Sequence, residues 1–225
     1  MILTLGAATM SCANSAKQET KTNYADLTKQ YAKVQLTSDI SHLSDNEKQM
    51  LDYLYEIGNI MDDIFWTQQF GGDKEAFLNS IEDKDARLFA EINYGPWNHF
   101  DNLNPFLPEY GAMPAGAGFY PTDMTKEEFE AWDNPDKTSL YTLIKRDENG
   151  KLQAVWYHEA YAEQINRVAE LLNKAADLAG DKEFADYLRL RAKAVLTDDY
   201  FESDMAWMDV RNNNVDFVVG PIENY

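Results

Sequence analysis

Residues 44–72 read SDNEKQMLDYLYEIGNIMDDIFWTQQFGG. Ser44 stands three residues before Glu47, the spacing of a capping box in which two side chains satisfy the free amides of a helix start. Met50, Leu51, Leu54, Ile57, Met61, Ile64 and Phe65 then recur at three- and four-residue steps, so one face of a long helix is apolar. The helix is expected to run to about Gln69 and to stop at Gly71-Gly72. A chain organised on such a helix is predominantly helical.

Working outward, residues 73–79 and 84–92 read as two short helices. Residues 94–125 hold five of the seven prolines, with Gly95, Gly111, Gly116 and Gly118. Proline removes amide donors and glycine permits unusual dihedrals, so this stretch is not ordinary helix or sheet. Long irregular loops inside a domain are often functional. The other reading is a rigid loop that packs Trp97, Phe100, Phe106, Phe119 and Tyr120 onto the core. Thr125 and Glu128 suggest a second capping box and a short helix ending near Trp132, before Asn134-Pro135-Asp136 breaks the chain.

Residues 140–146 and 152–157 flank Asp147-Glu148-Asn149-Gly150, whose Asn-Gly pair predicts a hairpin. Residues 159–179 and 182–196 form an antiparallel helical pair joined at Gly180-Asp181, with Ala175, Leu178, Phe184, Leu188 and Val195 as its seam. Thr197-Asp198-Asp199 caps a last helix through Trp207. Residues 215–219 are β-branched and aromatic and read as a strand. The fold class is therefore α+β, predominantly helical, with a β-hairpin and a C-terminal strand.

The 225 residues carry 39 acidic and 20 basic side chains, a formal charge of −19. Phosphate binding needs concentrated positive charge, so a nucleic-acid partner is excluded. The acid reads first as a solvated, self-repelling surface. Residues 2–11 are apolar or small and precede the single cysteine, Cys12, and a polar tether follows to residue 23. This resembles a bacterial export signal with Cys12 as the lipidation site. Residues 1–23 are thus expected to be leader and tether in an exported periplasmic or outer-membrane lipoprotein, and residues 24–225 the folded part. Ten apolar residues are too few to span a bilayer, so a lipid on Cys12 would be the sole membrane contact. A lone cysteine forms no internal disulfide.

Three histidines argue against a histidine-rich zinc site. His158-Glu159 would need a second histidine at position 162, which is Ala162. His158 then reads as a helix-start residue and His42 as surface; His99 and Asp101 could in principle orient a proton transfer, but no nucleophile is spaced near them, and the other reading is a hydrogen-bonded loop histidine. Residues 111–118 lack the Lys-Ser or Lys-Thr of a phosphate loop. The acidic pairs Asp62-Asp63 and Asp198-Asp199 are adjacent, and neighbours on a helix point apart, so they read as solvated or helix-start charges. No catalytic or metal-binding residue is assigned.

Several segments resemble, in order, the N-terminal half of the dipeptidyl peptidase III family of zinc metallopeptidases, closest to its bacterial branch. They are Tyr94-Gly95-Pro96-Trp97, residues 115–121 (AGAGFYP), residues 124–129 (MTKEEF), residues 196–200 (LTDDY), Trp207-Met208-Asp209 and residues 218–225 (VVGPIENY). A similar module occurs beside nudix domains in plants. The resemblance, over roughly residues 30–225, implies a two-lobed peptidase with a wide cleft, and this chain corresponds to the front of the lower lobe. It implies that a metal-bound water attacks the peptide carbonyl, with a glutamate as base, in the complete enzyme.

The zinc ligands would lie beyond Tyr225, so zinc is expected in the full-length protein and none in this chain, which is read as truncated and inactive by itself. The remainder of the same polypeptide is then a partner, and a peptide is the substrate. Residues 220–225 align with a cleft-side segment, and Asp216-Phe217-Val218 stands where the dipeptidyl peptidases have Glu-Ser-Tyr. Asp216, Glu223 and Tyr225 are the candidate substrate-side residues, with Asp216 as amine binder. The missing tyrosine puts dipeptide-removing specificity in question. The competing reading is a non-catalytic surface lipoprotein that binds peptide or glycan through residues 94–120.

Overall fold

The capping box at Ser44 forms as the sequence predicts. In the computed structural model, which describes residues 22–221, Ser44 Oγ accepts from the Glu47 amide at 3.2 Å and Glu47 Oε2 accepts from the Ser44 amide at 2.8 Å. A short helix α1 (Tyr24–Thr28) precedes this long one, α2 (Asp45–Phe70), which ends at Gly71 in the left-handed region, φ 74°. Then follow α3 (Lys74–Ser80) and α4 (Lys84–Asn93). The Pro-rich stretch contains a two-residue ladder, β1 (Trp97–Asn98) against β2 (Asn104–Pro105), and single 3-10 turns at Pro108–Tyr110 and Ala117–Phe119. Beyond it lie α5 (Lys126–Ala131), the antiparallel hairpin β3 (Thr142–Arg146) and β4 (Leu152–Trp156), α6 (Tyr157–Ala160), α7 (Ala162–Leu178), α8 (Lys182–Val195) and α9 (Phe201–Asp209).

Two cores result. In the larger, α7 packs between α2 and α8, and α9 packs on α8. Met50, Leu54, Ile57 and Ile64 of α2 meet Ile165, Val168 and Leu172 of α7 and Tyr187, Leu188 and Val195 of α8. Each fully buried aliphatic side chain contributes roughly 1.5–3 kcal/mol. The seam expected between the paired helices forms, with Leu178 only half-buried at its end. In the smaller core, the far end of α2 contributes Trp66, which meets Phe77, Phe89, Phe106 and Leu107. The mainly helical α+β class is therefore as expected.

Several local expectations are corrected. Helix 159–179 does not begin at Glu159: the chain breaks at Tyr161 (φ −118°, ψ 33°), which separates α6 from α7. The second capping box is only half made. Thr125 Oγ1 accepts from the Glu128 amide, but the Glu128 carboxylate instead takes both Arg146 Nη groups, at 2.8 and 2.9 Å, a bidentate charged pair that outcompetes a neutral amide. In the hairpin turn only Gly150 takes positive φ, 76°; Asp147 accepts from the Asn149 and Lys151 amides. The Gly150 amide donates to the Asp147 carbonyl at 2.9 Å, so the reversal expected at the Asn-Gly pair forms and the Asp147 carboxylate reinforces it.

Asp62 and Asp63 do not point apart, since both reach Lys74 Nζ, at 3.5 and 2.7 Å. Of the five loop aromatics, Trp97 and Phe106 are buried, Phe119 is half-buried, and Phe100 and Tyr120 stay exposed. Residues 215–219 alternate between core and solvent as a strand does, yet no backbone–backbone hydrogen bond involves residues 211–221 among those described. They form an extended strap rather than a strand in a sheet.

Candidate functional site

The Pro-rich loop is positioned by two close approaches. A Cβ at Gly118 would lie 2.3 Å from the Thr67 carbonyl oxygen and 2.9 Å from that of Gln68, so only glycine lets this turn seat on the end of α2. At its other end, buried Asn93 Oδ1 accepts from the His99 amide at 3.0 Å and from Tyr31 Oη at 3.1 Å, while its Nδ2 donates to the Phe89 carbonyl. Trp97 Nε1 donates to the Gly111 carbonyl at 3.0 Å.

Between loop and hairpin these anchors leave an open pocket of about 830 Å³, whose lining includes His99, Leu103, Met113, Tyr120, Leu140 and Tyr157. Burial, then the neighbouring Tyr120 and Asp198, pushes the Tyr157 phenol up to about 12, so it stays a protonated donor at neutral pH. Tyr94, at the end of α4, is pushed up to about 12 by burial and by Asp62, whose Oδ1 accepts its proton at 2.7 Å. The pocket has an apolar wall and a few polar atoms. It can hold side chains, and it presents no nucleophile paired with a base.

Asp216 lies on the exposed side of the strap. Its Oδ1 accepts from Trp207 Nε1 at 2.9 Å, and it borders a pocket of about 280 Å³ with Arg211 and Asn213. One oxygen is therefore oriented by α9. Cys12, Glu223 and Tyr225 lie outside the described residues. The structure keeps Asp216 and His99 in separate pockets.

Sequence reasoning missed a buried pair. Asp198 is neither solvated nor a cap. It takes φ 55°, its side chain is 1% exposed, and its Oδ2 accepts from the His158 amide at 3.2 Å and meets His158 Nδ1 at 2.6 Å. Asp198 Oδ1 has no hydrogen-bond partner among the described residues. The helix-start role falls to Asp199, which accepts from the Phe201 amide at 3.3 Å. Aspartate is among the few residues that tolerate the left-handed region, but nothing near it in sequence signals a partner forty residues away. His42 is exposed, as expected. Among the described residues no group of three or more His, Cys, Asp or Glu side chains is placed to hold a metal ion.

The elements thus make a mainly helical α+β module with an open pocket between the Pro-rich loop and the hairpin. The comparisons make the fold specific. A dipeptidyl peptidase III from Caldithrix abyssi has a solved structure that matches 84% of this chain with a TM-score of 0.77 and 37% identity. Dipeptidyl-peptidase III from Corallococcus sp. strain EGB matches 84% with a TM-score of 0.77 and 30% identity. The chain thus has a dipeptidyl peptidase III-like fold. It spans only 38% and 37% of those two chains. Nudix hydrolase 3 of Arabidopsis thaliana is 28% identical over 256 residues, 87% of this chain and 33% of that protein. No family model matches the chain.

Proposed function

We propose that this chain is the front part of an exported, zinc-dependent peptidase of the dipeptidyl peptidase III kind and contributes the floor of its peptide-binding cleft. The observation that carries the reading is the match of most of the chain to little more than a third of two such peptidases. The described residues do not fit a zinc site. His158 is committed to Asp198, and neither His42 nor His99 belongs to a group of three possible ligands among the described residues. In this reading the zinc ligands are supplied by the rest of the full-length protein, and this chain's own part is to hold peptide. Asp216, with one oxygen free of Trp207, offers a carboxylate to a peptide amine, and Glu223 and Tyr225 complete the substrate side.

The test is the full product of the natural reading frame. It should carry about one zinc per chain and cleave short peptides with free N-termini, while the 225-residue chain should do neither. A frame ending at Tyr225, or a longer product with neither zinc nor hydrolysis, rejects the reading. For export, Cys12→Ser should release the protein from membranes, and continued membrane association would count against a lipid anchor. No described helix is long and apolar enough to cross a membrane.

One observation favours the competing reading of a non-catalytic lipoprotein: a pocket of about 830 Å³ is lined in large part by the aromatic loop itself. Titration of the 225-residue chain with peptides and oligosaccharides, monitored by tryptophan fluorescence, would then show saturable binding that Tyr120→Ala weakens.

A further inference from the structure

The pocket between the Pro-rich loop and the hairpin is neutral in a protein that is not. Among the described residues that line it there is no Asp, Glu, Lys or Arg, although 26% of the chain is charged. Tyr157 belongs to that lining and is only 3% exposed. No described group accepts a hydrogen bond from its hydroxyl, which burial keeps protonated. The pocket therefore holds a donor without an acceptor. Other hydroxyls are already engaged: Thr142 Oγ1 donates to the Asp136 carbonyl, and Ser139 Oγ accepts from the Tyr141 amide. Few polar groups remain for the many hydroxyls of a sugar.

The walls are arranged before any ligand arrives. A Cβ at Gly116 (φ 81°) would lie 2.4 Å from Tyr120 Cδ2, so the Tyr120 ring rests on bare backbone, and Phe129 meets it edge to face at 6.1 Å. The ring is thereby clamped although it is exposed. Two more lining residues, Leu103 (φ 58°) and Ala117 (φ 47°), take the left-handed region, where any side chain other than that of asparagine or aspartate is strained. Leu103 sits in the reversal between β1 and β2, which glycine would serve with less strain. It is 40% exposed, and Leu140 in the same lining is 71% exposed, so burial in a core does not offset the strain. What Leu103 supplies is a wall of the pocket. Strain of this kind gathers at ligand sites.

We propose that this pocket binds an uncharged aromatic group that carries a hydrogen-bond acceptor, its ring against Tyr120 and Leu103 and its acceptor on Tyr157 Oη. An ion would lose its hydration there with no charged partner in return. A purely aliphatic group would leave the buried Tyr157 donor unsatisfied. A ring matches the clamped face of Tyr120, since offset and edge-to-face aromatic pairs are favourable, and Met113 in the same lining adds a sulfur contact. The proposal rests on the reading of the aromatic loop as a binding surface and names its ligand class. It does not rest on zinc or hydrolysis.

Probes of one size test it: benzamide, benzoate, benzylamine and toluene, titrated to about 5 mM, the range in which ligands this small bind. The readout is the amide NMR shifts of residues 115–120 in the 225-residue chain. Benzamide should bind at least about tenfold more tightly than benzoate or benzylamine. Tyr157→Phe should weaken benzamide about two- to tenfold and leave toluene unchanged. Leu103→Gly relieves the left-handed strain, so it should leave the thermal midpoint level or higher while weakening benzamide at least about threefold. Equal affinity for the charged probes overturns the proposal. So does a Tyr157→Phe chain that holds benzamide as well as the wild type, or a Leu103→Gly chain with a lower midpoint or unchanged affinity. Maltotriose that displaces benzamide from these residues keeps the loop reading and overturns the ligand class, and a chain shifted by neither benzamide nor maltotriose loses both. A full product without zinc or hydrolysis rejects the peptidase reading and leaves this one standing.

Discussion

Asp198 and Glu47 show how much a single carboxylate depends on what surrounds it. Asp198 is buried with one oxygen committed to His158 and the other without a partner among the described residues, and a buried acceptor left unsatisfied costs about 1–3 kcal/mol. His158→Phe keeps the ring volume but removes Nδ1. Stability should fall by about 1–3 kcal/mol, measured as a lower urea midpoint with unchanged slope, and an unchanged midpoint would refute the role given to the pair. Glu47 joins the start of α2 to the C-terminal strap, accepting from the Ser44 amide and hydroxyl and from Asn214 Nδ2. The Ser44 amide first, then Asn214 and the Ser44 hydroxyl, hold its carboxyl below the ordinary glutamate value of 4.5. A depressed folded-state pKa means stability that is present above the unfolded value and lost as pH falls through the folded one. The wild-type chain should therefore lose more stability between pH 7 and pH 3 than Glu47→Gln does. Equal losses in paired denaturant titrations would show that Glu47 is not among the groups responsible.

The elements divide by how local their causes are. The limits of α2 and its apolar face were legible because a cap, a period and a terminal glycine all lie within the helix itself. The break at Tyr161 and the loss of the second capping box were not, because the deciding partners, such as Arg146, come from other elements. The Pro-rich loop is intermediate: its composition announced an irregular segment, but only the fold shows which glycine the packing requires. Gly118 touches the Thr67 and Gln68 carbonyls at distances that no Cβ can share. Gly118→Ala should cost roughly 1–3 kcal/mol as an overpacked contact and speed chymotryptic cleavage at Tyr110 and Tyr120. An intact digestion pattern would mean that the loop is held elsewhere, with Asn93 the next candidate.

At the scale of the molecule, the charge of −19 acts on the compact state as self-repulsion. Raising salt from about 10 to 100 mM shortens the screening length from about 30 to 10 Å. The thermal midpoint should therefore rise by a few degrees, and a fall would mean that the surface ion pairs outweigh the repulsion. The sequence by itself determined the mainly helical α+β class, the order of the elements, the likeness to dipeptidyl peptidase III and the absence of any nucleic-acid signature. Each of these follows from caps, periods, composition and ordered motifs that are read along the chain. The tertiary structure alone decided that Asp198 is buried against His158, that Asp216 is held by Trp207, and that residues 215–219 form an extended strap. These depend on groups brought together from distant positions, where burial and the competition for hydrogen-bond partners, rather than local propensity, set what each side chain does.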